Sequence, residues 1–325
     1  MAGAAGLPPA ASRATSTEAA SATACSVSLA LRGTDAILSA LSLDHAPRIR
    51  QLEAAGVRTP VLESGPPDAE EAFVFVHGNP GSMEDFRELV LRVAPFARAV
   101  AVTMPGFGAA EKPRDFDVSI EGYAAHLGAQ LDALGVRRAH LVLHDLGGPW
   151  GLEWAARNPE AFRSVLLVGT GVLLGYRWHV LARIWQTPLA GEAFMATSSR
   201  RAFRVLAKRG QERPLPRAFV DRMYDEFDRP TRRTVLRTYR AMKRSAGWSE
   251  EVTPQLRALD RPALVLWGLH DPYLPVELAD RQREAFPRAR SVTLAHSAHW
   301  PFADDPDGFT AEVMPWLREQ AGAGA

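Results

Sequence analysis

Ala139-His140-Leu141-Val142-Leu143-His144, followed by Asp145-Leu146-Gly147-Gly148-Pro149-Trp150, is the stretch on which the reading of the fold depends. The first six residues are a short apolar run of the kind that makes a buried strand, and from 149 to 158 the apolar spacing has a helical period. Between them the chain must turn within a few residues. The small residues at 147 and 148 permit this and let the helix pack close to the strand. Strand, sharp turn and helix are the arrangement of a nucleophile elbow, whose central side chain stands above the sheet over a helix N-terminus. That position is usually serine; here it is Asp145. Taken alone, Asp145 also reads as an N-cap, because aspartate before a helix accepts its free N–H groups.

Outward from the elbow the pattern repeats. Residues 72–77, 99–104, 164–168, 263–267 and 291–294 read as further strands, and 84–93 and 119–134 as helices. Such alternation predicts an α/β fold with a doubly wound, mostly parallel sheet. It breaks once, over residues 172–254, which are helical in pattern and punctuated by Pro188, Pro214, Pro216 and Pro230. The expected organisation is a core of residues 31–171 and 255–325, with 172–254 inserted as a helical cap over the edge where open α/β sheets bind ligands. Residues 1–30, poor in large apolar side chains, read as a disordered tail.

Composition narrows the function. A chain of 325 residues, 46% hydrophobic and 23% charged with a net charge of +1, gives no reason to expect nucleic acid as a partner. The charge is uneven, with 17 Lys/Arg against 8 Asp/Glu between 172 and 254. That reads either as a solvated helical surface or as a field steering an anionic substrate. Cys25 is the sole cysteine, so nothing implies an oxidising compartment. The N-terminal stretch lacks a basic segment followed by a continuous apolar one, and no apolar run approaches the roughly 18 residues of a membrane span. A soluble, cytoplasmic protein is expected. The histidines show no metal-ligand spacing, and His296 reads as a loop residue.

Two further segments give Asp145 partners. Leu264-Val265-Leu266-Trp267-Gly268-Leu269-His270-Asp271-Pro272 places an acid just past a strand, and His296-Ser297-Ala298-His299-Trp300-Pro301 places a histidine after the next. Singly, Asp271 is a turn residue and His299 a loop histidine. Together they give the order nucleophile, acid, histidine. A carboxylate at the elbow also selects the chemistry. Attack on an acyl carbonyl would give a reactive anhydride, whereas attack at an sp3 carbon gives an ordinary alkyl ester. The ester then needs water activated by a base, a role for His299 oriented by Asp271, and donors for the oxyanion. A hydrolase of esters or C–C bonds would want serine at 145.

Over residues 48–317 the chain resembles the α/β-hydrolase superfamily. The resemblance rests on His77-Gly78-Asn79-Pro80, Met104-Pro105-Gly106-Phe107-Gly108, the Asp145 elbow, Trp267-Gly268 with Asp271, and His299-Trp300-Pro301. Within it, an aspartate nucleophile beside a His-Gly-x-Pro loop looks like the epoxide hydrolases and haloalkane dehalogenases. The resemblance implies that the N–H groups of Asn79 and Leu146 serve the oxyanion and that His77 and Pro80 shape their loop. It implies that Tyr239 is one of two ring-opening tyrosines of an epoxide hydrolase. The other would fall near Phe194, where there is no tyrosine; Tyr176, or less well Tyr224, would substitute. Leu146 lacks the side-chain donor that dehalogenases usually carry after the nucleophile, while Asn79 and a cap residue such as Trp185 fit a halide site, and Leu143, two before the nucleophile, looks more like the bulky aliphatic of dehalogenases than the glycine common in epoxide hydrolases. Tyr176, Trp185 and Phe194 are expected in an apolar substrate pocket. The resulting expectation is epoxide hydrolysis, with haloalkane dehalogenation as the alternative and non-catalytic ligand binding as a reading of another class. Neither cofactor nor metal is expected. The expected partners are a small apolar substrate and water, with no nucleic acid or membrane, for a monomer or homodimer.

Overall fold

The computed structural model describes Met1, residues 46–208 and residues 211–322; residues 2–30 of the expected N-terminal tail and residues 31–45 of the expected core lie outside these. The eight strands are β1 (Arg48–Ala54), β2 (Val57–Ser64), β3 (Glu71–Val76), β4 (Arg98–Val102), β5 (Arg138–His144), β6 (Phe162–Val168), β7 (Ala263–Gly268) and β8 (Arg290–Leu294). They form one sheet in the order β1-β2-β4-β3-β5-β6-β7-β8. β2 runs antiparallel to both its neighbours, and every pairing from β4 to β8 is parallel. β3, β5, β6 and β7 are buried along almost their whole length, which is why they read as near-continuous apolar runs.

Six of the eight strands are the ones the sequence pattern indicates. The other two, β1 and β2, form a hairpin that the pattern does not reveal. β1 is largely polar and exposed (Arg48-Ile49-Arg50-Gln51-Leu52). Its two-residue turn is Ala55-Gly56, both at positive φ. That backbone suits a hairpin, but it is normally announced by Asn-Gly or Asp-Gly.

Helices α1 (Arg87–Val93), α2 (Ile120–Leu134) and α3 (Gly147–Arg157) connect the central strands. Between β6 and β7 the chain forms six helices and, among the described residues, no strand. These are α4 (Val180–Gln186), α5 (Ala190–Thr197), α6 (Arg200–Leu206), α7 (Arg217–Glu226), α8 (Arg229–Arg244) and α9 (Trp248–Leu259). α4 and α5 pack on α8, and α6 packs on α7. α9 instead packs on α3 of the core, where the Trp248 indole N–H donates to Glu153 at 2.7 Å. Pro254, read in sequence as the end of the insertion, therefore lies inside a helix. α10 (Glu277–Arg281), α11 (Pro301–Asp304) and α12 (Pro306–Gly322) complete the chain. Among the described residues no helix is long and apolar enough to cross a membrane.

The turn after β5 is tight enough to test. A Cβ on Gly147 would lie 2.3 Å from the Val76 carbonyl oxygen and 2.8 Å from that of His77, both backbone atoms of the adjoining strand end. Gly147→Ala should therefore destabilise by about 1–3 kcal/mol, the usual cost of overpacking. Thermal unfolding of the variant should show a loss of several degrees, and an unchanged midpoint would show that the elbow is looser than described.

Candidate active site

Asp145, Asp271 and His299 follow β5, β7 and β8 respectively, so the carboxyl edge of the sheet brings the three together from positions far apart in sequence. Asp145 has φ +48°, a left-handed backbone uncommon for a residue with a side chain. Its carbonyl accepts from Gly148 N–H at 3.0 Å and from the Thr170 hydroxyl at 2.5 Å. The turn carries the side chain away from its own helix, and α3 has no side-chain cap. The carboxylate is not an N-cap. Its Oδ1 instead accepts the backbone N–H of Asn79 at 2.6 Å. Gly78 makes room for this: a Cβ there would sit 2.2 Å from the Asp145 Cβ.

The other carboxylate oxygen, Oδ2, faces His299 Nε2 at 3.4 Å. His299 Nδ1 pairs with Asp271 Oδ2 at 2.7 Å. Asp271 is held in turn by the N–H groups of Tyr273 (2.8 Å) and Leu274 (3.0 Å), which bond its Oδ1. His144 ties the assembly from behind by donating from Nε2 to the His299 carbonyl at 2.8 Å. All of this is nearly dry, since the side chains of His299 and Asp271 are 2% and 0% exposed.

Electrostatics follow from this packing. Burial pushes the Asp145 carboxyl up, but the hydrogen bond and charge of His299, with His144 and the Asn79 N–H, outweigh it and hold the group at about 2. Burial pushes His299 down, and the charges and hydrogen bonds of Asp271 and Asp145 overcome it, raising the imidazole to about 10. The protonated imidazole is thus favoured at His299, between the side chains of Asp145 and Asp271.

His77 lies at the centre of the neighbouring loop. Its Nδ1 donates to the Gly78 carbonyl at 2.8 Å and its Nε2 accepts the Met104 N–H at 3.0 Å. Burial depresses its pKa to about 4, so the ring is neutral. It joins the Gly78–Gly81 turn to the end of β4, and the Asn79–Pro80 peptide within that turn is cis. Leu146 is buried at the start of α3, where its N–H is among those the helix cannot satisfy internally.

Two cavities have Asp145 in their lining. The larger, of about 660 Å3 counted to its open mouth, is walled by Trp185, Phe194, Phe203, Met223 and Phe227, with Asn79 and Pro80 at its base. The smaller is lined by Leu146, Leu173, Tyr176, Trp178, Met242 and Leu274. Asp145, His179, Tyr239 and Tyr273 line both. Trp185 and Phe194 thus fall in the larger cavity and Tyr176 in the smaller. No lysine or arginine lines either cavity among the described residues, so the basic surface of the inserted helices does not extend into the site. Several of those arginines are paired on the surface, as Arg204 is with Asp221 and Arg240 with Glu192.

Tyr239, on α8, is 3% exposed and packed edge-on against Trp185, ring centres 4.9 Å apart. Burial and the nearby Asp145 charge raise its hydroxyl well above the usual range, while the Asn79 amide beside it favours ionisation more weakly. Tyr176 is differently engaged. Its hydroxyl donates to the Tyr273 carbonyl at 2.9 Å and accepts the His179 N–H at 3.2 Å, so its proton is committed to the fold. Tyr224 is on α7 against Phe203 and lines neither cavity.

His179 is the residue that sequence reasoning passed over. It precedes α4, and its Nδ1 accepts the Ala182 N–H at 3.1 Å in place of the usual Ser, Thr, Asp or Asn cap. Burial lowers its pKa to about 4, leaving a neutral ring whose one proton is on Nε2. Two other polar groups at the larger cavity, the indole N–H groups of Trp185 and Trp300, are buried without hydrogen-bond partners. Among the described residues no group of three or more His, Cys, Asp or Glu side chains is placed to hold a metal ion.

Comparison with known proteins agrees with this architecture. Residues 71–306 match the profile of the family described as alpha/beta hydrolase fold. A haloalkane dehalogenase of Agrobacterium fabrum is 37% identical over 112 residues, which span 34% of this chain and 36% of that protein. A haloalkane dehalogenase of Bradyrhizobium diazoefficiens is 27% identical over 83% of this chain and 94% of its own length. Among solved structures, an epoxide hydrolase of Vigna radiata superposes with a TM-score of 0.70 at 19% identity, covering 86% of this chain and all of that one, a likeness of fold alone. With the sheet order, the strand-end placement of Asp145, Asp271 and His299 and the matched family profile all in agreement, the chain belongs to the α/β-hydrolase fold family.

Proposed function

We propose that this protein hydrolyses apolar epoxides through a covalent ester on Asp145. The observation that carries the reading is the division of labour within one carboxylate. Oδ1 is held by the Asn79 N–H, while Oδ2 lies beside His299, itself paired with Asp271, and the Asp145 side chain lines an open cavity. Oδ2 attacks a ring carbon and the C–O bond breaks. The released electron pair stays on the epoxide oxygen, which takes a proton from Tyr239, with the His179 Nε2–H as the second donor. Water, deprotonated by His299, then adds to the ester carbonyl. The oxyanion forms at Oδ1, beside the N–H groups of Asn79 and Leu146; its collapse breaks the ester C–O bond, the leaving alkoxide takes the proton that His299 removed from water, and the diol departs, while the proton His299 sheds when Asp145 is alkylated returns to Tyr239. A base sandwiched between two carboxylates at an open cavity favours catalysis over ligand binding alone.

Oxygen tracing tests the mechanism directly. In a single turnover in 18O-labelled water, one label should enter the Asp145 carboxylate and none the diol, because the diol oxygen comes from Oδ2. Label appearing first in the diol would mean that water attacks the epoxide directly and would remove the ester from the scheme. Tyr239→Phe should lower kcat/KM for epoxides by about 100-fold, a typical contribution for a positioned acid. A change below about threefold would transfer the proton-donor role to His179.

A second reading has its own support. The Asn79 amide and the buried, unpartnered Trp185 indole N–H line the same cavity as Asp145, and two N–H donors beside the nucleophile suit a departing halide. The relatives cited above that carry the name haloalkane dehalogenase point the same way. Halide release from chloro- or bromoalkanes at a rate exceeding diol formation would make dehalogenation the principal activity.

A further inference from the structure

Arg222, on α7, reaches from the inserted helices into the turn that carries the Asn79 N–H. Its Nη2 donates to Asp85 Oδ1 at 2.6 Å, and its Nη1 donates to Ser82 Oγ at 3.3 Å and to Glu226 Oε2 at 3.0 Å. The Ser82 hydroxyl donates in turn to Glu226 Oε1 at 3.2 Å. Ser82 caps the 3-10 turn Met83–Phe86, and Asp85 Oδ2 reaches back to accept the Ser82 N–H at 3.3 Å. Asp85 lies hard against the loop, since a Cβ on Gly81 would sit 2.4 Å from its Oδ2. Its side chain is 1% exposed. Burial pushes the Asp85 and Glu226 carboxyls up, and the charge of Arg222 opposes this at both. A buried ion pair of this kind adds little net stability over apolar packing, and its best-attested use is to fix one geometry. The geometry at stake is that of the turn at residues 78–82, which holds the Asn79 N–H 2.6 Å from Asp145 Oδ1. His77 pins this turn from the core side and Arg222 from the cap side. Met223 on the same helix, and Phe227 just after it, line the larger cavity, so α7 both walls the substrate space and braces the turn.

Resting on the Asp145 ester proposed above, we infer that Arg222 is a positioning residue for the second half-reaction, holding the Asn79 N–H on Oδ1 through Asp85 and Ser82. The two half-reactions ask different things of that N–H. During alkylation negative charge leaves the carboxylate, so a donor at Oδ1 favours the resting state at least as much as the transition state. During hydrolysis charge develops on Oδ1, and the donor counts fully. A turn released from Arg222 therefore slows breakdown of the ester and leaves its formation unchanged or faster. A residue that merely joined cap to core would affect both steps alike or neither.

Arg222→Met removes the charge and keeps an unbranched side chain. Rapid quenching with intact-protein mass measurement reads the two steps separately, with 1,2-epoxydecane as probe, or 1-bromodecane should the enzyme prefer a halide. Ester hydrolysis should slow by about 10- to 100-fold, the scale of a misplaced oxyanion donor, so that adduct accumulates. Alkylation should stay at the wild-type rate, to within about threefold, or exceed it. Asp85→Asn, which keeps an acceptor for the Ser82 N–H but no charge for Arg222, should give the same pattern. The double variant should be no slower than the slower single one, because both substitutions act through one contact. Arg222→Lys supplies the charge without the fork that also reaches Ser82 and Glu226, so it should recover part of the rate. As the mildest change, it carries the test if the other variants fail to fold. Hydrolysis within about threefold of wild type in every folded variant, or equal slowing of both steps, would reduce Arg222 to a structural ion pair and overturn the inference. If His299→Gln traps no adduct from either probe, the Asp145 ester itself fails and this inference falls with it, an outcome read independently of Arg222.

Discussion

Asp145→Ala should abolish turnover, with kcat/KM falling by about four orders of magnitude or more, the scale seen when a covalent nucleophile is removed. The expectation follows from the absence of a substitute. Asp271 is fully buried behind His299, with its oxygens committed to the Tyr273 and Leu274 N–H groups and to the imidazole. Among the described residues, no other carboxylate lines either cavity. The variant should still fold. Alanine at φ +48° costs roughly 1–2 kcal/mol, and the Asn79 N–H left without its acceptor roughly 1–3 kcal/mol more. Steady-state kinetics on the best epoxide, with thermal unfolding of the same sample, measures both. Residual activity within tenfold of wild type would mean that His299 drives water straight onto the substrate and that Asp145 is only its counter-ion.

The centre of this site is legible in sequence because each member has a local signature. Asp145 lies between an apolar run and two glycines, Asp271 follows Leu264-Val265-Leu266-Trp267-Gly268, and His299 follows the next strand. Strand ends are set by short-range pattern, and the parallel sheet brings them to one edge. What resists reading is whatever depends on tertiary neighbours. The β1–β2 hairpin carries a polar strand and an unusual Ala-Gly turn. His179 caps a helix with a ring nitrogen, a role no pattern assigns to histidine. Tyr176 and Tyr239 look alike in sequence, yet one spends its hydroxyl on the Tyr273 carbonyl and the other borders both cavities. The smaller cavity draws on four separate stretches, around Leu146, Leu173–Tyr176, Tyr239–Met242 and Tyr273, and no single one of them betrays it.

The base can be separated from the nucleophile by asking when it holds its proton. In the resting enzyme His299 lies at about 10, because Asp271 and Asp145 together outweigh its burial. In the proposed mechanism, alkylation of Asp145 removes its negative charge while burial remains, so the imidazole moves down and releases a proton at the step that needs a base. Alkylation requires only that Asp145 be ionised, and with its pKa held at about 2 it is ionised across the working range. The two half-reactions should therefore respond to pH differently. Between about pH 5 and 8 ester formation should be flat, while ester hydrolysis should slow as pH falls and the imidazole of the ester form takes up its proton. Rapid quenching followed by intact-protein mass measurement reads both, and adduct should accumulate in the wild type on the acid side. His299→Gln should produce that state at every pH, with one equivalent of substrate bound, hydrolysis slowed by about 1,000-fold and alkylation largely kept. A variant that stays unmodified with both epoxides and haloalkanes would mean that His299 is needed before the ester forms. A hydrolysis rate independent of pH would mean that some other group activates the water.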